Sequence, residues 1–120
     1  MELQEKLLKE SKTIAVVGLS PNPDRDSHEV AKYLQSVGYR VIPVNPTIEE
    51  ALGEKSFPDL RSIPERVDMV DVFRRPELVG PVVDEAINIG ARSIWFQDGV
   101  INEEAAVRAR AAGLEVVMDD

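Results

Sequence analysis

The chain contains no cysteine, which excludes disulfides, thiol nucleophiles and thiolate metal sites together. It has one histidine, His28, so a nucleophile–base triad or a histidine-rich metal centre would have to rest on that residue alone. Asp24 and Asp26 lie close by, but the spacing supplies no third ligand. His28 therefore reads as a surface or capping residue, or as a contact to a phosphate or ribose. No apolar run approaches the roughly 18 residues that a membrane span requires. The charged, periodic start MELQEKLLKESK is unlike a secretion signal, and a cytoplasmic location is the expectation. Basic residues are scarce too: 14 against 22 acidic ones, a net charge of -8. That balance argues against a broad nucleic-acid surface but leaves room for one small anion held by backbone donors.

Two phosphate-binding signatures are missing. After its first apolar run the chain reads GLSPNP, with one glycine and two prolines where a dinucleotide site carries GxGxxG. The second apolar run ends at Asn45, where a nicotinamide site would place an acid for the ribose. GxxxxGK[ST] is also absent, which argues against a P-loop triphosphatase. Adjacent carboxylates such as Glu49-Glu50 and Glu103-Glu104 diverge from one another and read as solvated faces or helix starts. No pair has a catalytic arrangement, and the expectation is a protein that is not an enzyme.

What is present is alternation of strand and helix. Apolar residues make up 43% of the chain and charged residues 30%, a globular composition. At this length one domain, residues 1–120, is expected, with residues 1–12 an N-terminal helix packed on it. Continuous β-branched runs predict strands at 13–17, 40–44, 69–72, 93–96 and 115–118. Helical spacing predicts helices from Ser27 to Val37, from about Glu77 to Gly90, and from Glu103 to Ala112. Asp26 or Ser27 could cap the first of these and Asn102 the last. Pro81 fits only in a first helical turn. Thr47–Leu52 reads as a short helical turn ended by Gly53, and Pro43 marks an irregular or unpaired strand position. The sum is an α/β chain: a Rossmann-like, doubly wound, five-stranded parallel sheet with helices on both faces. Its expected strand order is 3-2-1-4-5, with the ligand edge at the strands' carboxyl ends.

That edge gathers the candidate site. Gly18 lets a ligand approach the backbone, the following helix start offers free N–H groups, Arg25 can pair bidentately with a phosphate, and Ser27 can donate its hydroxyl. Arg74 and Arg75 follow the third strand and could receive phosphate or only neutralise neighbouring acids. Gln97-Asp98-Gly99 follows the fourth strand and could close the pocket. On residues alone, an ordinary strand–loop–helix connection explains the same features.

The segments VVGLSPNPDRDSHEVAKYL (16–34), GYRVIPVNP (38–46), VDMVDVFRRPELV (67–79) and IWFQDGVINEEAAVRARAAGLEVVMD (94–119) carry a resemblance to a known family. The chain resembles the small stand-alone coenzyme A-binding proteins, similar in fold to the CoA-binding domain of the succinyl-CoA synthetase alpha subunit. The resemblance implies non-catalytic binding of CoA or an acyl-CoA at the carboxyl edge. It implies Gly18, Ser20, Pro21, Arg25, Ser27 and His28 around the diphosphate, and Asn45 and Pro46 near the adenosine. It further implies Val72, Phe73, Arg74 and Arg75 as a second wall, with Gln97, Asp98 and Gly99 near the pantetheine path. The larger synthetases add a domain with a phosphorylated histidine, for which this chain has no room, so ligase activity is not implied. Many small members continue past the last strand with a basic residue and a cysteine, where this chain reads Met118-Asp119-Asp120. The alternatives are a module for another nucleotide, such as NAD or an adenine nucleotide, or an interaction domain without ligand. A homo-oligomer is compatible with any of these.

Overall fold

The computed structural model describes residues 2–97 and 99–118. Five strands, β1 (Thr13–Val17), β2 (Arg40–Val44), β5 (Met69–Val72), β6 (Ser93–Phe96) and β7 (Glu115–Met118), pair in parallel in the order β2-β1-β5-β6-β7. Between β2 and β5 a small antiparallel hairpin, β3 (Glu50–Ala51) and β4 (Glu54–Lys55), stands apart from the sheet. Helices α1 (Leu3–Glu10) and α2 (Asp26–Ser36) cover one face, and α3 (Val79–Asn88) and α4 (Glu103–Ala111) the other. Alternation along each strand divides the core accordingly. Ala15, Val17, Val70, Val72, Ile94 and Phe96 pack toward α3 and α4, while Ile14, Val16, Val41 and Met69 pack toward α1 and α2. Both faces are therefore buried, which is why the strands read as unbroken apolar runs. No helix among the described residues is long and apolar enough to cross a membrane.

The doubly wound parallel class is as expected, but the strand order is not. Counting the five long strands along the chain, the order is 2-1-3-4-5 and not 3-2-1-4-5. Pro43 explains much of the difference. In a parallel strand a residue's N–H and C=O point to the same side, and the Pro43 carbonyl accepts from Phe57 N (3.0 Å) on the side away from β1. The missing donor therefore faces outward, where only the short Phe57 bridge runs, and β2 can serve as an edge but not as an interior strand. The third long strand is left the other side of β1. Asp68 secures it there: its carboxylate accepts from Lys12 N (2.9 Å) and Thr13 N (3.0 Å), while its own N–H donates to Thr13 O (3.0 Å).

The helical turn expected over Thr47–Leu52 is replaced by the β3–β4 hairpin. Leu52 (φ 53°) and Gly53 (φ 77°) both occupy the left-handed region that a two-residue hairpin turn requires. Ile48, Ala51 and Leu52 have helix-like spacing because all three pack into the α1/α2 core. Gln35 Nε2 holds the turn by donating to Leu52 O at 3.1 Å. Two local expectations on the α3/α4 side stand. Asn102 Oδ1 caps α4 by accepting from Ala105 N (3.0 Å), and Pro81 lies in the first turn of α3.

Candidate functional site

The chain leaves β1 through α2 toward β2, and leaves β5 through α3 toward β6. The two connections diverge, so a crevice opens between the carboxyl ends of β1 and β5, as doubly wound sheets require at a reversal of strand order. The cleft there has a volume of about 1000 Å³, at the upper end of ordinary small-molecule sites.

Gly18 forms its floor. Gly18 N donates to Val44 O and Phe73 N donates to Val17 O, both at 2.8 Å, so the ladders run one rung past the strands. This presses the Phe73 backbone against Gly18. A Cβ at Gly18 would lie 2.2 Å from the Phe73 carbonyl oxygen, and its φ of +87° also disfavours any side chain. The following loop is tied internally: Asn22 N donates to Ser20 Oγ (3.1 Å) and Asp24 N to Asn22 Oδ1 (2.9 Å).

The expected cap of α2 is not made. Arg25 occupies the cap position without a side-chain bond, and the helix begins at Asp26. Ser27 is buried, and its Oγ accepts instead from Ser20 N (3.0 Å), because the loop folds back over the first turn. The start of α2 thus meets the cleft with uncapped N–H groups and the positive end of its dipole. Arg25, Arg74 and Arg75 line the same space. Arg75 Nε lies 3.5 Å from Glu77 Oε1, whereas Arg25 and Arg74 make no ion pair among the described residues.

Of the residues singled out in the sequence, the cleft brings together Gly18, Ser20, Arg25, Ser27, Phe73, Arg74, Arg75, Gln97 and Gly99. Five others do not line it. Pro21 is exposed on the loop, and His28 is half-buried in the first turn of α2. Val72 is wholly buried toward α3 and α4, supporting the wall from behind. Pro46 is exposed beyond β2. Asn45 is engaged within the protein: its Nδ2 donates to Leu19 O (3.0 Å), and its Oδ1 accepts from Thr47 N (3.0 Å) and Thr47 Oγ1 (2.7 Å). It fixes the loop to the end of β2. Asp98 lies outside the described residues.

Sequence reasoning missed several neighbours of the cleft. Asp24, Asp26, Glu29, Val30, Pro76 and Val100 also line it; the spacing of 26, 29 and 30 along one side of α2 was the available signal. It also missed Asp71, the one ionisable residue in the strand Met69–Val72. Asp71 is 3% exposed and lies between Val16 and Trp95 on neighbouring strands. Burial pushes its carboxyl up to about 7, against the opposing pull of Gln97 Nε2, which donates to Asp71 Oδ1 at 2.5 Å. Among the described residues no group of three or more His, Cys, Asp or Glu could hold a metal ion.

Comparison with known proteins gives this geometry a family. The chain is 48% identical over 115 residues to the uncharacterized protein YneT of Bacillus subtilis, covering 96% of this chain and 85% of that protein. It is 34% identical to acetate–CoA ligase [ADP-forming] I of Archaeoglobus fulgidus over 88% of this chain but only 17% of the ligase, so it corresponds to one part of that enzyme. A solved structure of a hypothetical protein from Pyrococcus horikoshii superposes with a TM-score of 0.94 at 44% identity, covering 96% of this chain and 81% of that one. The dinucleotide-forming acetyl-coenzyme A synthetase 1 of Ca. Korarchaeum cryptofilum superposes with a TM-score of 0.80 at 29% identity, over 97% of this chain and 27% of the synthetase. The sequence pattern of the CoA binding domain matches residues 12–120, and the chain belongs to that family.

Proposed function

We propose that the cleft between β1 and β5 holds coenzyme A or an acyl-CoA, and that the protein binds this ligand without transforming it. The observation that carries the reading is the uncapped start of α2 opening on a space that also collects Arg25 and Arg74, neither of them in an ion pair among the described residues. Two cations beside a helix start suit a diphosphate, which carries two negative charges and accepts several hydrogen bonds. Gly18 serves the same site through its neighbour, since the missing Cβ lets the Phe73 backbone close against it at the cleft wall. In this reading Arg25 is the main side-chain contact, Phe73 and Arg74 form the second wall, and Gln97 and Gly99 flank the pantetheine arm. Asn45 acts indirectly, by holding the loop. With a net charge of -8, we read the partner as a small anion and not a nucleic acid, and the compartment as the cytoplasm.

Titration calorimetry of CoA against the native protein, Arg25→Ala and Arg110→Ala tests the assignment. Arg110 is exposed on α4, away from the cleft. Loss of one charge-assisted contact should weaken the Arg25 variant about tenfold or more, with Arg110→Ala unchanged. Equal affinities for the two variants would refute it. A thermal-shift panel of CoA, acetyl-CoA, NAD, NADP and ATP distinguishes CoA from other nucleotides. Native mass spectrometry of protein purified without added ligand reports the bound mass and the subunit number.

A further inference from the structure

Asp71 is a carboxyl within the sheet that the diphosphate reading does not use. It shares a face with Met69, toward α1 and α2, and among the described residues its carboxyl is hydrogen-bonded to Gln97, a residue that lines the cleft. A glutamine amide has two different ends. An ionised carboxylate can only accept, so it takes an N–H from Nε2 and leaves the Gln97 carbonyl, Oε1, for the cleft. A protonated carboxyl can donate its O–H to Oε1, which turns the NH₂ group toward the cleft instead. We infer that Asp71 is a positioning residue that sets, through Gln97, whether the cleft presents an acceptor or a donor to its ligand.

The chemistry such a switch would read is that of a secondary amide or hydroxyl, and the pantetheine arm of CoA carries both. The inference rests on the reading of the cleft as the CoA site and names the part of the ligand that Gln97 meets. In the observed arrangement Nε2 is engaged with Asp71, which leaves Oε1 as the acceptor for an amide N–H of the ligand.

The switch is set apart from the other charges. Neighbouring strands β1 and β6 place Val16 and Trp95 beside Asp71 and carry no ionisable side chain of their own. From α2, Ser27, Ala31 and Leu34 are buried toward the sheet, while Asp26 and Glu29 line the cleft. The adjoining loops add Asp24, Arg25, Arg74 and Arg75 to the cleft wall. From α1, Leu7 packs into the same core, whereas Lys6 and Glu10 border a separate hollow with Arg92 and Glu115 at the opposite end of the sheet. Tyr39, the other titratable group of this core, donates its hydroxyl to Leu8 O at 2.7 Å. None of these contributes to the raised value of Asp71, which has burial as its cause and Gln97 as its only counterweight. The carboxyl therefore changes protonation near pH 7, with Gln97 as the group that responds.

Two measurements test this, neither depending on activity. In ligand-free protein the side-chain amide resonances of Gln97, followed by two-dimensional NMR from pH 5.5 to 8.5, should shift with a midpoint near 7 in the native protein and stay still in Asp71→Asn. Resonances that are static in both proteins, or titrate equally in both, overturn the inference. In calorimetry, the affinity of the native protein for CoA relative to that of Asp71→Asn should fall about fivefold as the pH is lowered across the same range, the worth of one hydrogen bond. The ligand's own phosphate titration is common to both proteins and cancels in the ratio. Parallel pH profiles overturn the inference. An absence of CoA binding at every pH would instead refute the proposed ligand, and the NMR titration then decides the Asp71–Gln97 coupling by itself.

Discussion

Replacing Asp71 by Asn should stabilise the protein, and by an amount that depends on pH. The Asp71 carboxyl ionises near 7 in the folded protein against an ordinary value of 3.8. Between those two pH values the folded state keeps a proton that the unfolded chain has released. The folded state then binds more protons, so stability falls as pH rises. The interval spans about three pH units at roughly 1.36 kcal/mol each, which gives a cost on the order of 4 kcal/mol. That cost is absent below pH 4 and complete above pH 7. An Asn has nearly the same shape, can exchange a hydrogen bond with Gln97 in either sense, and is neutral throughout. Urea unfolding of both proteins at a series of pH values, with linear extrapolation to water, measures the difference directly. The two stabilities should lie close together at pH 4.5 and separate by pH 8 in favour of Asp71→Asn, with most of the change between pH 5 and 7. The common titration of all other groups drops out of the comparison. A difference that stays constant with pH would show that Asp71 is not buried as an acid between Val16 and Trp95, and the reasoning would fail.

Two further substitutions probe the scaffold of the cleft. Gly18→Ala places a methyl group 2.2 Å from the Phe73 carbonyl oxygen, forcing β1 and β5 apart, and should cost roughly 2 kcal/mol or more; an unchanged denaturation midpoint would contradict this close approach. Asp68→Ala removes the acceptor for the Lys12 and Thr13 N–H groups and should cost about 1–3 kcal/mol near neutral pH. Burial alone would raise the Asp68 carboxyl, but those two backbone donors, with the charges of Arg66 and Arg92, outweigh it and hold the group below its ordinary range. Its contribution is therefore present above the ordinary carboxylate pKa and disappears as the pH falls through the depressed folded value. The gap between native protein and Asp68→Ala should narrow on acidification in the same unfolding assay, and a gap that widens would contradict the assignment.

The sequence by itself determined what depends on neighbours within a few residues. The five long strands, the helices that follow them, the Asn102 cap and the place of Pro81 all follow from local periodicity and local hydrogen bonding. So does the gathering of Gly18, Arg25, Arg74 and Gln97 at one edge, since residues after the strands of a parallel sheet must share that edge. The tertiary structure decided everything that needs a distant partner. Strand order is one case, because an apolar run does not say which strand lies beside it. Pro43 carried the hint, but the side to which its missing donor points is set only by pairing with β1 and Phe57. The hairpin at Leu52 and Gly53 is another, where burial against α2 imitates helical spacing. Ser27 looked like a helix cap and instead holds Ser20, because the loop's path is fixed by Asn45 gripping Leu19. Asp71 stands out in its strand, yet only the register that puts it between Val16 and Trp95, beneath Gln97, turns one acidic residue into a buried acid. Periodicity is a one-dimensional signal, whereas desolvation and hydrogen-bond partnership across strands arise only once segments far apart in the chain have packed together.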